Sequence, residues 1–506
     1  MKKLHIKALA MLLLGGSMVS CGDDFLDSKI YDGIDIETGL NSVNNIGHAL
    51  NGTYYSFYRY YFAGNYATSF GDIASDLAYW NRSSSHFNAI NQFTPSVTDT
   101  YLSYIWEYGY KVVDNSARII KAGEAMKENV HEDEIADLDM YLAEAYALRA
   151  YANLVLVNVF AHQVMVDGQD FSAQPGIVVI NEPVAVGTMV SRSTVGDAYT
   201  SIVNDLKSSI SYFELAGQTK ENRVYMSPAA AWGLLSRAYL YMEKFDESID
   251  AAKKALAAAG DPALAYTLAA YKALYNGEGS NTESFFYLAI NTSDNWSANS
   301  CGTLWSNYSY GPTPYLKSIM TDGDVRRAVW SWNTNDKGVE EFGSGKFGAY
   351  GLGGNSAYGT NYLINAPEMY LNQAEGYLRS SSADITNAQN ALLVVAKRNP
   401  AITSVADLPS DKDGLMSFIQ EERARELFQE GHRLYDLRRW DVSANLAQDN
   451  VSYPEIDWAI TGFKISDCVY PIPADEINAG FGVTQNEGWQ TTFPDTVSLS
   501  VSDAGH

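Results

Sequence analysis

The sequence is poor in cysteine and in basic residues, and both shortages narrow the classes of protein it can encode. Its 506 residues include three cysteines, too few for a fold held together by many disulfides. They carry 35 Lys and Arg against 60 Asp and Glu, which gives a formal net charge of -25. Because nucleic acids and anionic lipid headgroups bind basic surfaces, this balance predicts that neither is a partner.

The familiar motifs of catalytic sites are missing as well. The sequence contains no HExxH, GxSxG or Walker motif. Residues 343–348 spell GxGxxG, but they neither follow a clear strand nor open a helix, so we interpret them as a loop. The stretch 411–414 lacks ligands at the first and twelfth positions of a calcium loop and is expected to cap the next helix. We therefore predict no cofactor, no metal site and no catalytic residues.

Aromatic residues, in contrast, are abundant. The chain has 35 Tyr and 10 Trp, aromatic residues make up 13% of it, and charged residues make up 19%. Rings crowd the segment from Tyr54 to Phe62 in particular. A surface rich in tyrosine suits the recognition of carbohydrate or peptide, although many rings will belong to the core.

The N-terminus has the pattern of a secretory leader. Lys2, Lys3 and Lys7 precede a short apolar run, and small residues follow it, so we predict a signal peptide over residues 1–20. The apolar run is too short to span a bilayer. Cys21 comes next, and the residues before it resemble a bacterial lipobox. The resemblance implies that Cys21 is lipidated and that the lipid takes the place of a transmembrane helix.

Helical periodicity dominates the rest of the chain. We expect long helices over 134–160 and 195–213, and another that starts after Ser227 and Pro228, a good N-cap and first-turn pair. The spacing from Trp232 to Tyr239 fits a tetratricopeptide pattern. Further helices are expected near 366–379, 387–398 and 415–430. The fold class predicted is mostly α, a scaffold of degenerate tetratricopeptide-like helix-turn-helix repeats with long irregular loops and a few short strands.

One loop region and one cysteine pair stand out within this scaffold. Residues 276–362 are rich in Gly, Ser, Asn, Tyr and Trp, and their aromatic content argues against disorder. A short strand is expected there, over 284–290. With Cys21 lipidated, Cys301 and Cys468 remain, and the sequence leaves open whether they form a disulfide.

The stretch 421–441 carries charges where an amphipathic helix would carry apolar residues. We expect a helix from Leu415 that Gly431 closes. Buried charges must pair, so Glu421 or Glu422 is expected to bind Arg425 within the helix. We interpret the stretch as a structural ion-pair network, with these residues as its signature: Glu422, Arg425, Glu426, Glu430, Arg433, Asp436 and Trp440.

The same stretch resembles the C-terminal signature of the SusD/RagB family, which comprises outer-membrane nutrient-binding lipoproteins. The segment from Tyr470 to Ile477 is similar to the closing motif of that family. The resemblance extends from Cys21 to about Trp489. It implies one SusD-like unit over 21–506, with an N-terminal part to about 215, tetratricopeptide-like helices over 216–275, a C-terminal part over 276–490 and a tail over 491–506.

The resemblance also implies a function. It points to a protein that is not an enzyme, captures an oligosaccharide or polysaccharide and delivers it to a SusC-like TonB-dependent outer-membrane barrel. It implies attachment to the outer membrane by the lipid, facing the cell surface. Two alternatives stay open: a peptide-binding RagB-like receptor, and a surface glycoside hydrolase, for which 60 acidic residues offer many carboxylate pairs.

The ligand site is predicted from the residues, since the family has no fixed binding motif. A sugar needs flat rings framed by polar groups, presented on loops that a scaffold holds. Two loop clusters meet this requirement. The candidate ligand-binding residues are Tyr79, Trp80 and Asn81 in the first cluster and Trp296, Trp305, Tyr308 and Tyr310 in the second.

Overall fold

The protein is mostly α-helical, as predicted. The computed structural model describes residues 39–81, 83–334, 340–442, 457–459, 464–494 and 498–500. The predicted signal peptide and Cys21 lie outside these residues. Among the described helices, none has both the length and the apolar character that crossing a bilayer requires.

Sixteen α-helices are described, and those that the sequence predicted lie within a few residues of the expected bounds. Ser227 caps the helix that starts at Pro228, because its hydroxyl accepts a hydrogen bond from the N–H of Ala230. The helices are α1 Val43–Tyr58, α2 Tyr66–Ile73, α3 Asn88–Asn91, α4 Thr100–Met126, α5 Ile135–Phe160, α6 Val195–Ala216, α7 Pro228–Tyr241, α8 Phe245–Ala258, α9 Leu268–Ala273, α10 Cys301–Thr303, α11 Pro314–Ile319, α12 Ala366–Arg379, α13 Ile385–Ala396, α14 Lys412–Leu427, α15 Arg433–Trp440 and α16 Ala474–Ala479.

The long helices form a stack in which each helix packs against the next in chain order. Contacts run from α1 to α4, then through α5, α6, α7 and α8 to α12, which packs against α13 and α14. The helix α5 is buried along nearly its whole length, so it lies in the centre of the stack. This arrangement fits degenerate helix-turn-helix repeats, since each helix buries on its neighbours a face that it cannot bury alone.

The strands are short and pair in twos, all antiparallel: β1 with β5, β2 with β3, β4 with β8, β6 with β7 and β9 with β10. Their bounds are β1 Ala78–Trp80, β2 Met165–Val166, β3 Gln169–Asp170, β4 Ser284–Tyr287, β5 Tyr310–Pro312, β6 Trp332–Thr334, β7 Glu340–Phe342, β8 Tyr362–Asn365, β9 Asp457–Ala459 and β10 Ser498–Ser500. The aromatic loop region lies between β4 and β8 and is built mainly of single helical turns, among them Ser297–Asn299, Gly345–Phe347, Tyr350–Leu352 and Ser356–Tyr358.

The two cysteines that remain after Cys21 form no disulfide. Cys301 and Cys468 are both free and buried. Burial raises the pKa of each thiol to about 12, so both stay protonated at neutral pH.

The charged residues of α14 lie in the protein interior. Arg326 contacts Glu422 at 2.7 Å, Glu426 at 3.1 Å and Asp324 at 2.7 Å, and all four side chains are at most 2% exposed. Arg425 contacts both residues between which the sequence could not choose, Glu421 at 3.1 Å and Glu422 at 2.8 Å. Each buried charge on this face of α14 therefore has an opposite charge beside it, which offsets the loss of hydration.

The same pattern continues through α15. Asp436 lies between Arg423, at 2.7 Å, and Arg439, at 2.8 Å. Trp440 donates from its indole N–H to Glu375 of α12 at 2.9 Å. Arg433 binds Asp76 with both guanidinium arms, at 2.7 and 2.8 Å. These contacts connect α15 to α12, α14 and the N-terminal part of the chain.

The turn between α14 and α15 differs from the prediction. The helix α14 ends at Leu427, so Gly431 does not close it. Gly431 takes a φ of +78° beyond the helix end, and a Cβ there would stand 2.2 Å from the carbonyl oxygen of Thr68 in α2. The glycine is needed because the turn touches the backbone of α2, a contact between distant parts of the chain that helix periodicity does not reveal.

Asp72 fixes the same turn from the side of α2. Its buried carboxylate accepts three backbone hydrogen bonds, from Gln429 at 2.7 Å, Gly431 at 3.1 Å and Arg433 at 3.2 Å. Burial raises the pKa of Asp72 to about 6, although the three N–H groups oppose that shift. The N-terminal helices and the C-terminal signature are thus joined through one carboxylate and one glycine contact.

We predict that Glu422→Gln lowers the free energy of unfolding by about 3 kcal/mol at pH 7, because it leaves Arg326 and Arg425 short of a buried countercharge. Burial opposes ionisation of Glu422, but these two guanidinium groups outweigh it and lower its pKa from 4.5 to about 2. The stabilisation is therefore complete above pH 4.5 and disappears as the pH falls toward 2. Urea unfolding at several pH values measures it.

Glu421→Gln is the matched control, since Glu421 contacts the same Arg425 but has a side chain that is 44% exposed. It should change the free energy of unfolding by less than about 1 kcal/mol throughout the pH range. Equal effects of the two substitutions would contradict a special role for the buried pair.

Candidate functional site

The structure brings the two predicted loop clusters together. The strand β1 pairs with β5, so that Trp80 lies opposite Tyr310. The N–H of Asn81 extends the pairing by donating to the carbonyl oxygen of Ser309 at 2.9 Å. Residues more than 200 positions apart thus share one edge of the molecule.

Three of the predicted ligand-binding rings lie inside the protein, which corrects our expectation that they face a ligand. Trp305 is 0% exposed, Tyr310 1% and Tyr79 2%. The indole N–H of Trp305 donates to the hydroxyl of Ser69 at 3.2 Å, and the Tyr310 hydroxyl donates to the carbonyl oxygen of His86 at 2.7 Å. Tyr79 and Tyr310 belong to the paired strands and Trp305 to the helical turn before β5, and all three rings pack in the core, where large rings stabilise the fold.

The other members of these clusters are half-buried at the edge. The Trp80 indole N–H donates to the carbonyl oxygen of Ser84 at 2.7 Å. The Tyr308 hydroxyl lies 3.2 Å from Nε2 of His86, whose pKa is lowered by burial. Asn81 is half-buried as well, and its side-chain oxygen accepts from the N–H of Ser83.

Trp296 lies elsewhere, in a group of partly exposed rings at the C-terminal end of α1. We call this group the aromatic platform. It consists of Arg59 and the rings that surround it: Tyr55, Tyr58, Tyr60, Tyr61, Tyr104, Tyr108 and Trp296.

Two helices and one loop supply the platform. The helix α1 ends at Tyr58, and the turn after it exposes Tyr60 and Tyr61. The helix α4 contributes Tyr104 and Tyr108, which share one face because they are four residues apart. Trp296 comes from the long loop region between β4 and β8, so the platform joins the N-terminal helices to that region.

The rings of the platform lie close and are moderately inclined. Tyr61 lies 4.1 Å from Tyr104 and 4.8 Å from Tyr108 between ring centroids, with interplanar angles of 30° and 31°. Tyr60 lies 4.0 Å from Tyr61 at 38°. Trp296 contacts the other end, 5.6 Å from Tyr60. Rings that pack on one another lose little freedom when a ligand binds, because their neighbours already restrict them.

Arg59 lies among these rings without an acidic partner. Its Cζ is 4.8 Å from the centroid of the Trp296 ring and 5.4 Å from that of Tyr61. One guanidinium nitrogen donates to the Tyr55 hydroxyl at 2.9 Å. Arg59 forms no ion pair with a carboxylate in the part of the chain that the structure describes.

The hydroxyls of Tyr58 and Tyr60 are protonated at neutral pH. Burial, and next the hydrogen bond to Tyr61, raise the pKa of Tyr60 to about 12. Burial also raises the pKa of Tyr58, and the Asp294 carboxylate beside it acts in the same direction. A neutral phenol both donates and accepts, so each can serve a ligand hydroxyl.

Further rings connect the platform to the edge that carries Trp80. Tyr66 lies 5.9 Å from Tyr61 and 4.8 Å from Tyr101. Tyr101 continues to His86 at 6.3 Å. The predicted residues Trp80 and Tyr308 therefore lie at one end of an aromatic strip, and Trp296 lies at the other.

The sequence contained signals for the missed residues. The run of rings around Arg59 and the four-residue spacing of Tyr104 and Tyr108 are both visible in it. Because a helix end decides which rings face solvent, the run alone could not separate Tyr61, which is partly exposed, from Phe57 and Phe62, which are buried. No group of three or more metal-ligating side chains occurs within the described ranges.

Comparison with known families covers both halves of the chain. The family model described as "SusD family" matches residues 266–489. A second model, described as "Starch-binding associating with outer membrane", matches residues 24–240. The chain belongs to the SusD family. The second match includes α1 and α4, the two helices that supply most of the aromatic platform.

Solved structures agree with this SusD-like fold. A SusD superfamily protein from Bacteroides thetaiotaomicron is 21% identical with a TM-score of 0.76, and the match covers 88% of this chain and 99% of the other. A putative sugar binding protein from Bacteroides vulgatus is 24% identical with a TM-score of 0.75, over 89% and 100%. A SusD-like carbohydrate binding protein from Bacteroides vulgatus is 20% identical with a TM-score of 0.68, over 80% and 85%. No curated protein sequence matches the chain.

The two tryptophans of the second predicted cluster differ in burial, and this difference leads to a prediction. Trp305→Ala should lower the free energy of unfolding by about 3–5 kcal/mol, because it empties a fully buried space. Trp296→Ala removes a half-buried ring and should cost only about 1–2 kcal/mol. Urea unfolding of the two variants under identical conditions provides the measurement. Equal costs would mean that Trp296 belongs to the core.

Proposed function

We propose that this protein is a non-enzymatic receptor that binds an oligosaccharide on the aromatic platform. The observation that carries the proposal is the group of seven partly exposed rings around Arg59, supplied by α1, α4 and the loop region. Trp80, Asn81 and Tyr308, which are connected to the platform through the buried ring of Tyr66, offer a second candidate contact region.

The chemistry of the platform suits sugars. The CH groups on one face of a pyranose ring are apolar and pack on aromatic faces, while its hydroxyls need polar partners at the rim. Here the protonated phenols of Tyr58 and Tyr60 and the guanidinium of Arg59 stand beside the rings that would bind the apolar face. The family description as starch-binding, matched by the segment that holds Tyr55 to Tyr108, supports the same ligand class.

A receptor accounts for the platform better than a hydrolase does. Glycoside hydrolysis generally requires two carboxyl groups on opposite sides of the scissile bond. The platform residues include one cation and seven rings but no carboxyl group. Acids stand beside it, Asp294 and Glu278 near Tyr58 and Glu107 near Tyr104, and Glu107 is paired with Lys111. A peptide could also pack on tyrosine rings, so a peptide ligand is tested beside the sugars.

Location and partner complete the proposal. We propose that Cys21 carries a lipid that anchors the protein in the outer membrane, facing the cell surface, and that the bound saccharide passes to a SusC-like TonB-dependent barrel. Support comes from the lipobox-like residues before Cys21 and from the family description, which includes association with the outer membrane.

A glycan array, followed by calorimetry on the hits, tests the ligand. We expect Tyr61→Ala to weaken saccharide binding by about 2 kcal/mol, because Tyr61 contacts three other rings of the platform. Tyr266→Ala is the matched control, since that tyrosine is 42% exposed and lies outside the platform. Cleavage of the bound glycan by pure protein, or binding of peptides but no glycan, would contradict the proposal.

Replacement of the predicted lipidation site tests the anchor. Cys21→Ala should yield folded protein that is released from membranes, because acyl chains are what would hold it there. The measurement is fractionation of cells that lack the barrel partner, after a salt wash. The same fractionation of a Cys301→Ala variant controls for general effects of cysteine loss, since Cys301 is buried in the interior. Membrane retention of Cys21→Ala would overturn the lipid anchor.

A further inference from the structure

Arg59 is unusual among the described arginines in where its charge is placed. The interior arginines have carboxylate or carbonyl acceptors: Arg326 has three carboxylates, Arg433 has Asp76, and Arg438 donates to two backbone carbonyl oxygens. Half-buried helical arginines pair too, as Arg118 does with Asp114 at 2.7 Å. Arg59 is surrounded by rings instead, in a chain with 60 acidic and 35 basic residues. An excess of acids makes a cation without a carboxylate neighbour a feature that requires an explanation.

The guanidinium of Arg59 has unused hydrogen-bonding capacity. Of its five N–H donors, one is used by the Tyr55 hydroxyl. Its Nε is buried and finds no acceptor among the described residues, so the donors that remain for a ligand are those of the two terminal nitrogens. Four rings, those of Tyr55, Tyr60, Tyr61 and Trp296, lie within 5.7 Å of its Cζ and hold it in place. Packing on rings leaves the in-plane donors available, and these match the two oxygens of a carboxylate or the oxygens of a sulfate.

We infer that the saccharide bound by the platform carries an anionic group, a hexuronate carboxylate or a sulfate ester, that pairs with Arg59. This inference rests on the proposed function and names the ligand class of that same surface. The ring faces would bind the apolar side of the sugar, and the guanidinium would bind its charged substituent. A charge-assisted hydrogen bond beside rings that exclude water is stronger than one made in open solvent.

A lysine beside the platform does not offer a comparable position. Lys111 lies over the ring of Tyr108, with its Nζ 4.2 Å from the centroid, and it also contacts Glu107 at 2.6 Å. Its charge is therefore already paired. Arg59 is thus a single cation without a carboxylate partner on this surface, in a protein of net charge -25. This favours a ligand with isolated anionic groups over a dense polyanion, which the acids of the protein would repel.

The experiment compares acidic saccharides with neutral partners of the same shape. The probes are tetragalacturonate with its methyl ester, glucuronate-substituted xylooligosaccharides with their carboxyl-reduced forms, and sulfated galactan oligosaccharides with their desulfated forms. For any pair that binds, we expect the acidic member to bind about tenfold or more tightly. The uronate and sulfate pairs identify which source of charge is preferred.

Variants at Arg59 separate charge recognition from positioning of the rings. Arg59→Gln should reduce the acidic-to-neutral affinity ratio to about one, and Arg59→Lys should retain part of it. Lys111→Gln is the matched control and should leave the ratio unchanged. Melting temperatures show that each variant is folded.

The outcomes distinguish this inference from the proposal on which it rests. If neutral saccharides bind as tightly as acidic ones, or if Arg59→Gln weakens both members of a pair equally, Arg59 merely positions rings and the inference fails while the receptor stands. If no saccharide of either kind binds, the proposed function fails and the inference with it. A ratio that falls in Arg59→Gln alone supports both.

Discussion

The structure depends on the pairing of charges in its interior. The faces of α14 and α15 that enter the core carry arginines and acids, and each loses its hydration there, so a misplaced partner would cost several kcal/mol. Pairing thereby selects one arrangement of distant segments. Arg433 must meet Asp76, Glu426 must meet Arg326, and the turn at Gly431 must reach Asp72. The N- and C-terminal parts of the chain are held in register by contacts that tolerate little displacement.

This register positions the proposed binding surface. The helix α2, which the C-terminal turn touches at Thr68 and Asp72, immediately follows the segment that exposes Tyr60 and Tyr61. The stack from α1 to α4 sets the distance between those rings and Tyr104. Loops that bind ligands need such a scaffold, because otherwise binding would have to order the loops as well as the ligand.

On the aromatic platform, in contrast to the interior, the charged side chain has no opposite charge beside it. In the interior Arg326 and Arg423 face carboxylates, whereas Arg59 at the surface faces rings. Rings hold a cation in place without neutralising it. An arginine thus stabilises the fold where its neighbours are carboxylates, and it can offer its charge to a ligand where its neighbours are rings.

The sequence by itself determined the fold class and the family, because helical periodicity, helix caps and the spaced charges of residues 421–441 are local patterns. The bounds of α5 and α12 and the cap at Ser227 follow from such patterns. The sequence also showed that some of the loops are rich in aromatic residues. Which rings reach the surface was decided by tertiary structure alone: Tyr79 and Tyr310 in the paired strands β1 and β5 and Trp305 in the helical turn before β5 are buried, whereas Tyr61 beyond the end of α1 is partly exposed. The physical reason is that the direction of a side chain in a loop depends on contacts between segments far apart in the chain, and no local spacing encodes those contacts.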